Sequence, residues 1–137
     1  MLSSKNSEET LKVQNALERM TIELRDAVSI TEPKSDASSN TIIYSIIEGP
    51  GSVSKTILSN PPLLTITGYQ PDGNPLNSSP TILDNIQNSS FVSVLCDNLD
   101  PTGIAKVKSV DVSLTIEGIP NAFTTKVYPR NLLPCPY

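Results

Sequence analysis

The chain contains no histidine among its 137 residues. Histidine is the commonest general base and a frequent metal ligand, so its absence excludes Ser-His and Cys-His nucleophile pairs and most zinc and copper sites. A glycine-rich phosphate loop is also missing, since each of the six glycines stands beside a turn signal. We therefore predict that the chain is not an enzyme and has no catalytic, cofactor-binding or metal site.

Aromatic residues are scarce, at 4%, and tryptophan is absent, so the core must consist mainly of Val, Ile and Leu. Twelve prolines, many of them beside Ser, Asn or Gly, indicate frequent chain reversals. A chain of this length with 37% hydrophobic residues forms most economically one domain. The composition therefore predicts a β-rich single domain over residues 1–137.

Positive charge is scarce as well: ten Lys and Arg stand against fourteen Asp and Glu, a net charge of −4. Nucleic-acid binding depends on clustered Lys and Arg that neutralise phosphates, and here the cationic residues are scattered. We expect no nucleic-acid binding by this chain alone. No apolar run reaches the roughly 18–20 residues that span a bilayer, and no signal peptide opens the chain. Two interpretations stay open: a cytosolic protein, or a protein whose targeting segment has been removed.

The clearest periodic signal lies in the first thirty residues. Apolar residues recur there at steps of three and four, on one face of a predicted helix: Val13, Ala16, Leu17, Met20, Leu24, Ala27 and Val28. Ser7 marks a start, and Pro33 prevents continuation far past Ile30. We predict a long amphipathic helix over residues 7–30, within an N-terminal helical region at residues 1–32. This helix would be about 35 Å long at about 1.5 Å per residue.

Strand signals follow a polar connection at residues 33–40. Runs of high β propensity or alternating polarity occupy 41–48, 53–58, 63–69, 90–96, 105–118 and 123–128, and 81–86 is either a short strand or a helical turn. The most diagnostic run alternates polar residues with Val110, Val112, Leu114 and Ile116, the pattern of a half-exposed antiparallel strand. We predict an α+β fold in which the long helix packs on an antiparallel β-sheet, with the sheet and a C-terminal loop at 41–137.

Polar residues in the loops give weaker signals. Asp97 and Asp100 lie three apart and Asp72 lies in another loop, but the twelve-residue calcium-loop pattern is absent and the sequence around Asp100 fits a plain turn. Asn77 and Asn88 each begin an Asn-Ser-Ser triplet, an N-glycosylation pattern that is expected by chance in a chain rich in Asn and Ser. We assign no ligand and no modification to these residues.

The chain has only two cysteines: Cys96, at the end of a predicted strand, and Cys135, between Pro134 and Pro136. They cannot form a usual zinc site and are not a CxxC redox pair. A tail with two prolines cannot readily join a central strand and has little to bury a thiol. We therefore predict a Cys96–Cys135 disulfide, with two buried free thiols as the alternative. Such a bond persists in the periplasm or outside the cell.

Several stretches in this layout resemble one known family. Residues 16–30 (ALERMTIELRDAVSI) resemble the helix of type IV pilin-like proteins, and residues 81–91 (TILDNIQNSSF) resemble the entry to their later strands. Residues 107–118 (VKSVDVSLTIEG) and 123–131 (FTTKVYPRN) are similar to the final strand pair and the closing Arg-Asn. The family comprises minor pilins and the pseudopilins of type II secretion.

The resemblance implies a pilin-like fold and a non-catalytic role: a structural subunit, or minor pilin, of a type IV pilus-like fibre that assembles through its N-terminal helix. A pseudopilin of a type II secretion system is the alternative, and a secreted adhesin-like binding module is a further one. A C-terminal disulfide loop is more usual in pilins than in pseudopilins and favours the first. The implied partners are other pilin or pseudopilin subunits and the inner-membrane assembly machinery.

The family's N-terminal signature, a basic leader followed by a cleavage site and an apolar helix, is missing from these 137 residues. We expect that the sequence begins midway along the long helix, and that membrane contact would come only from the missing segment. The resemblance then implies a bacterial protein of the periplasm or cell surface that is anchored in the inner membrane before assembly. It leaves open whether the fibre serves motility, adhesion, DNA uptake or secretion.

Overall fold

The computed structural model describes residues 2–34, 37–68, 81–97 and 105–136. Helix α1 (Leu2–Arg25) precedes eight strands: β1 (Ser29–Glu32), β2 (Thr41–Glu48), β3 (Gly51–Asn60), β4 (Leu63–Gly68), β5 (Thr81–Leu83), β6 (Val92–Asp97), β7 (Lys106–Leu114) and β8 (Phe123–Val127). The strands form two antiparallel sheets. One has five strands in the order β1-β2-β3-β4-β5, and the other has three in the order β6-β7-β8.

The prediction of a long helix packed on an antiparallel sheet, the pilin-like fold, is wrong. The strands divide into two sheets, and helix α1 ends at Arg25 instead of Ile30. Residues 29–32 form β1, which pairs with β2. The cause lies in the β-branched side chains of this segment, which favour a strand, and in Ile30, which is 5% exposed and lies opposite Tyr44. Pairing with β2 buries the apolar residue that the longer helix would have used.

A strand is present in each predicted run within the described residues, although Tyr69, which ends one of them, lies outside those residues. The bounds differ for some: the predicted strand 105–118 ends at Leu114, with Ile116 in an isolated bridge, and the predicted strand 90–96 begins at Val92. Strand β2 has the predicted bounds, and residues 81–83 form a strand and not a helical turn. Strands β2 and β3 form a hairpin in which Glu48 pairs with Gly51. Gly49 has a φ of 63° in this turn, and a positive φ at the first of two turn residues is what favoured hairpin loops require.

One hydrophobic core joins the helix to both sheets. Helix α1 contributes four residues that are at most 3% exposed, at the predicted steps of three and four: Val13, Ala16, Met20 and Leu24. The inward faces of the two sheets supply most of the remainder, including Ile42, Ile57, Leu64, Val110, Val112 and Leu114. Because the helix contacts β5, β7 and β8, its apolar face bridges the two sheets and does not simply cover one of them.

The side chain of Asn88 lies where the two sheets meet. Its Nδ2 donates to the carbonyl oxygens of Ser90 at 2.9 Å and Ser113 at 2.8 Å, and its Oδ1 accepts from the backbone N of Thr115 at 2.8 Å. The carbonyl oxygen of Asn88 accepts from the Oγ of the buried Ser59 at 2.6 Å. Ser59 belongs to β3 and Ser113 to β7, so this one residue bonds to the five-stranded sheet through its backbone carbonyl and to the three-stranded sheet through its side chain.

We expect Asn88→Asp to lower the free energy of unfolding by about 2 kcal/mol or more, because a carboxylate would face two carbonyl oxygens with no hydrogen to donate. Asn15→Asp is the matched control, since Asn15 is exposed on helix α1, and it should change stability by less than about 0.5 kcal/mol. Urea unfolding of both variants measures the difference. An Asn88→Asp protein as stable as the control would contradict the role of this residue at the junction.

Candidate functional site

Cys96 and Cys135 form a disulfide, as predicted, with their Cα atoms 5.9 Å apart. Cys96 lies in β6, and Cys135 is 7% exposed in a C-terminal segment that runs beside β7. Backbone hydrogen bonds hold this segment: Val107 N donates to Leu133 O, and Cys135 N donates to Ala105 O, both at 2.9 Å. The alternative of two free thiols is wrong.

The C-terminal segment also closes on the end of helix α1. Arg130 N donates to Arg25 O, and Asn131 Nδ2 donates to Ala27 O, each at 2.9 Å. The last carbonyl groups of a helix have no partner within it, so the bond from Arg130 satisfies an acceptor at the end of α1. Ala27 lies two residues beyond that end, so the bond from Asn131 holds the segment that follows the helix. Arg130 lies 3.5 Å from Asp26, but both side chains are more than half exposed and their pair contributes little to stability. The Arg-Asn of the family resemblance therefore ties the helix end to the segment that follows β8.

A largely buried charged cluster connects the helix to the five-stranded sheet. The Glu23 carboxylate of α1 accepts hydrogen bonds from Lys55 Nζ at 2.9 and 3.1 Å and from the Tyr44 hydroxyl at 2.9 Å. Tyr44 in β2 and Lys55 in β3 stand opposite each other in the register, so the sheet presents both donors to one carboxylate. The Glu23 side chain is 18% exposed and the Lys55 side chain 11%. Charges this buried need good hydrogen bonds to offset their desolvation.

The geometry makes this charged cluster an anchor for the helix. Lys55 donates to both oxygens of Glu23, and Tyr44 donates to one of them, so the three groups satisfy one another. Burial of Tyr44, which is 1% exposed, raises the pKa of its hydroxyl well above the ordinary 10.0, and the neighbouring Glu23 carboxylate raises it further. The Tyr44 hydroxyl therefore stays protonated and keeps donating to Glu23.

The loop residues considered in the sequence have different outcomes. Asp72, Asn77 and Asp100 lie outside the described residues, and Asp97 is the last residue of β6. Asn88 is described, and both hydrogens of its Nδ2 bond to backbone carbonyl oxygens. The folded chain therefore offers no free amide at Asn88 for glycosylation.

Within the described ranges, no three His, Cys, Asp or Glu side chains lie together in a way that could hold a metal ion. In the same ranges, the helix lacks the length of apolar sequence that would cross a membrane. The predicted lack of catalytic, cofactor and metal sites stays a prediction.

A groove with a volume of about 470 Å³ lies on the outward face of the three-stranded sheet, and we call it the polar groove because most of its lining residues are Ser, Thr, Asp or Lys. The register places Ser93, Asp111 and Lys126 in one row across the strands, and Ser113 opposite Thr124 in the next row. Side chains alternate between the two faces of a strand, so these five point away from the core. Hydroxyl residues dominate the lining: Ser38, Ser90, Ser93, Ser113, Thr124 and Thr125.

The charged residues in the groove lining are Asp111 and Lys126, whose formal charges cancel. Lys126 Nζ lies 3.9 Å from Asp111 Oδ1, too far for a hydrogen bond, and the side chains are 49% and 44% exposed, so water screens the pair. Asp111 Oδ1 is buried and, among the residues that the structure describes, has no hydrogen-bond partner. The groove thus presents the exposed part of the Asp111 side chain, an ammonium group and several hydroxyls at one surface.

Comparisons with known proteins identify no relative: no protein-family model, curated protein or solved structure matches this chain. The resemblance to pilin-like proteins therefore rests only on the residues quoted above.

Sequence reasoning predicts the disulfide but misses the charged cluster and the groove. Tyr44 and Lys55 become neighbours only through the register of the β2–β3 hairpin, which its Gly49-Pro50 turn could have indicated. Most groove residues come from three strands, and Ser38, Ser90 and Phe91 lie outside them. The alternation along β7 marks Asp111 and Ser113 as outward-facing, but it does not indicate which residues of β6 and β8 lie beside them.

Removing the disulfide should destabilise the protein. We expect Cys135→Ser to lower the free energy of unfolding by roughly 3–4 kcal/mol, the chain-entropy value for a sequence separation of 39. Hydrogen exchange at Arg130 and Asn131 should quicken, because their segment would lose its covalent attachment. The Cys96→Ser/Cys135→Ser variant separates loss of the bond from effects of a lone thiol. Intact-mass measurement after alkylation, with and without reduction, checks the bond itself, and two alkylated thiols in the unreduced protein would refute it.

The raised pKa of Tyr44 predicts a loss of stability at alkaline pH. The tyrosine ionises more easily in the unfolded chain, so its contribution is complete below about pH 10 and falls as the pH rises above that value. We expect Tyr44→Phe to be about 1 kcal/mol less stable at neutral pH, through loss of the bond to Glu23, yet to lose less stability above pH 10. Tyr128→Phe is the control, because Tyr128 is 61% exposed. Denaturant unfolding across this pH range tests the prediction, and parallel curves for wild type and Tyr44→Phe would contradict it.

Proposed function

We propose that this chain is a non-catalytic structural subunit of an extracytoplasmic pilus-like fibre, and that helix α1 carries contacts between subunits. The observation that carries this proposal is a pair of exposed apolar side chains on the outward side of α1, where polar residues such as Asn15 and Glu18 lie between them. Leu11 is 57% exposed and Ile22 is 56% exposed. Eleven residues make about three helical turns, so these two side chains lie on one side of the helix, opposite the buried Val13, Met20 and Leu24.

Helix α1 is also firmly held to its own domain, which suits an assembly element. The charged cluster at Glu23 fixes it to the five-stranded sheet, and Arg130 and Asn131 bond to the carbonyl groups at its end. A helix held at these points presents its outward side in one orientation. The helix also shares the hydrophobic core with both sheets, so a mechanical load on its outward side would be passed to both of them.

The disulfide supports placement in an oxidising compartment, the periplasm or the cell surface. A minor pilin is the preferred role, and a pseudopilin of type II secretion is the alternative, because a C-terminal disulfide loop is more usual in the pilins that the sequence resembles. The proposed partners are further copies or related subunits of the fibre and the inner-membrane machinery that assembles it. Contact with a membrane would come from an apolar helix preceding α1.

A secreted binding module is the second candidate function. The polar groove on the three-stranded sheet favours it, because hydroxyl and charged groups converge there on one concave surface. This candidate does not require contacts between subunits through helix α1.

We expect Leu11→Glu and Ile22→Glu to abolish incorporation into fibres in the native organism, because each would place an unpaired charge in an apolar contact. Both side chains are exposed, so the isolated variants should melt within a few degrees of wild type. Ile47→Glu is the matched control, since Ile47 is 63% exposed but lies on β2. Immunoblots of sheared surface fractions measure incorporation.

Normal incorporation of the two helix variants would overturn the fibre proposal. The reading frame upstream provides an independent check, because the proposal requires an apolar helix with a prepilin cleavage site before α1. An ordinary cleaved signal peptide at that place would favour the secreted binding module instead.

A further inference from the structure

We propose that the polar groove on the outward face of β6, β7 and β8 is a binding site for a neutral saccharide. The proposal gives a ligand class to the second candidate function. It rests on the groove alone and stands whether or not the chain assembles into a fibre.

The groove has dimensions suited to a short oligosaccharide. Neighbouring strands lie about 4.8 Å apart, so the row from Ser93 through Asp111 to Lys126 spans about 10 Å. The second row, Ser113 and Thr124, lies two residues further along the strands, about 7 Å away. A surface of this size accommodates two linked sugar rings that contact both rows of residues.

The chemistry of the lining matches sugar hydroxyls. Serine and threonine hydroxyls both donate and accept hydrogen bonds, as sugar hydroxyls do, while Asp111 only accepts and Lys126 only donates. The distance of 3.9 Å between Lys126 Nζ and Asp111 Oδ1 leaves the pair without a direct hydrogen bond. Asp111 Oδ1 itself is buried, so one sugar hydroxyl would donate to the exposed part of the carboxylate. A hydroxyl beside Lys126 would accept from the ammonium group.

Other ligand classes fit the groove less well. The charges of Asp111 and Lys126 cancel, so the groove offers no net attraction to phosphates or other anions, and one carboxylate is a poor site for a cation. The apolar residues in its lining are closed to a ligand, because Phe91, Val92 and Val112 are at most 2% exposed. An extended peptide would pair with the edge of a sheet, whereas this groove spreads over the face of three strands.

Backbone-amide NMR titration of the oxidised full chain tests the proposal, with maltotriose, cellotriose and triacetylchitotriose as separate probes. We expect saturable shifts with at least one of them, confined to the strands around Ser93, Asp111 and Lys126. Asp111→Ala should weaken that binding about tenfold, through loss of a charge-assisted hydrogen bond. Asp26→Ala is the matched control, because Asp26 is a similarly exposed aspartate that pairs with a cation, Arg130, and it should leave the affinity unchanged.

The absence of saturable shifts in the groove with all three trisaccharides would overturn the proposal. A saturable response to the pentapeptide Ser-Thr-Val-Thr-Ser in that case would make the groove a peptide site. Neither outcome bears on fibre incorporation, which the helix variants test separately.

Discussion

The hydrogen bonds of Asn88 are the interaction on which the arrangement of the two sheets depends. Among the described residues, no strand of one sheet forms a ladder with a strand of the other, and the segments between them meet through single bridges such as Ile86–Ile116 and Ser39–Val92. Backbone groups at such a junction lack the partners that a continuous ladder would supply. The Asn88 side chain supplies partners for backbone groups in and beside the three-stranded sheet, at Ser90, Ser113 and Thr115. Its own carbonyl oxygen accepts from Ser59 of the five-stranded sheet, so these polar groups are paired where the core between the sheets closes.

Helix α1 depends on that arrangement, because it packs where both sheets contribute to one core. Its buried face meets apolar side chains of each sheet, while polar contacts hold it at two further points. Glu23 reaches the five-stranded sheet, and the helix end meets the segment that Cys135 ties to β6. The disulfide therefore acts on more than the tail: through Arg130 and Asn131 it also supports the end of the helix.

The sequence predicts those features that depend on local pattern. It anticipates the buried face of α1 because a period of 3.6 is readable within a few residues, and the bounds of β2 because a run of high β propensity ends there at the turn of Gly49 and Pro50. It anticipates the disulfide because only one pairing exists. It misplaces the helix end, since the residues around Ile30 fit either period until β2 is known to lie beside them. The division into two sheets and the contact of Glu23 on α1 with the β2–β3 hairpin depend on long-range packing, which no local pattern records.

The alternation of side chains in the three-stranded sheet separates the two proposed functions in space. Along β7, Val110 and Val112 point into the core that also holds the helix, whereas Asp111 and Ser113 point outward into the groove. The helix and the groove therefore lie on opposite faces of one sheet. A neighbouring subunit packed against Leu11 and the rest of the outward side of α1 would leave the groove open to solvent. The fold thus allows a fibre contact and a ligand site to operate in the same subunit.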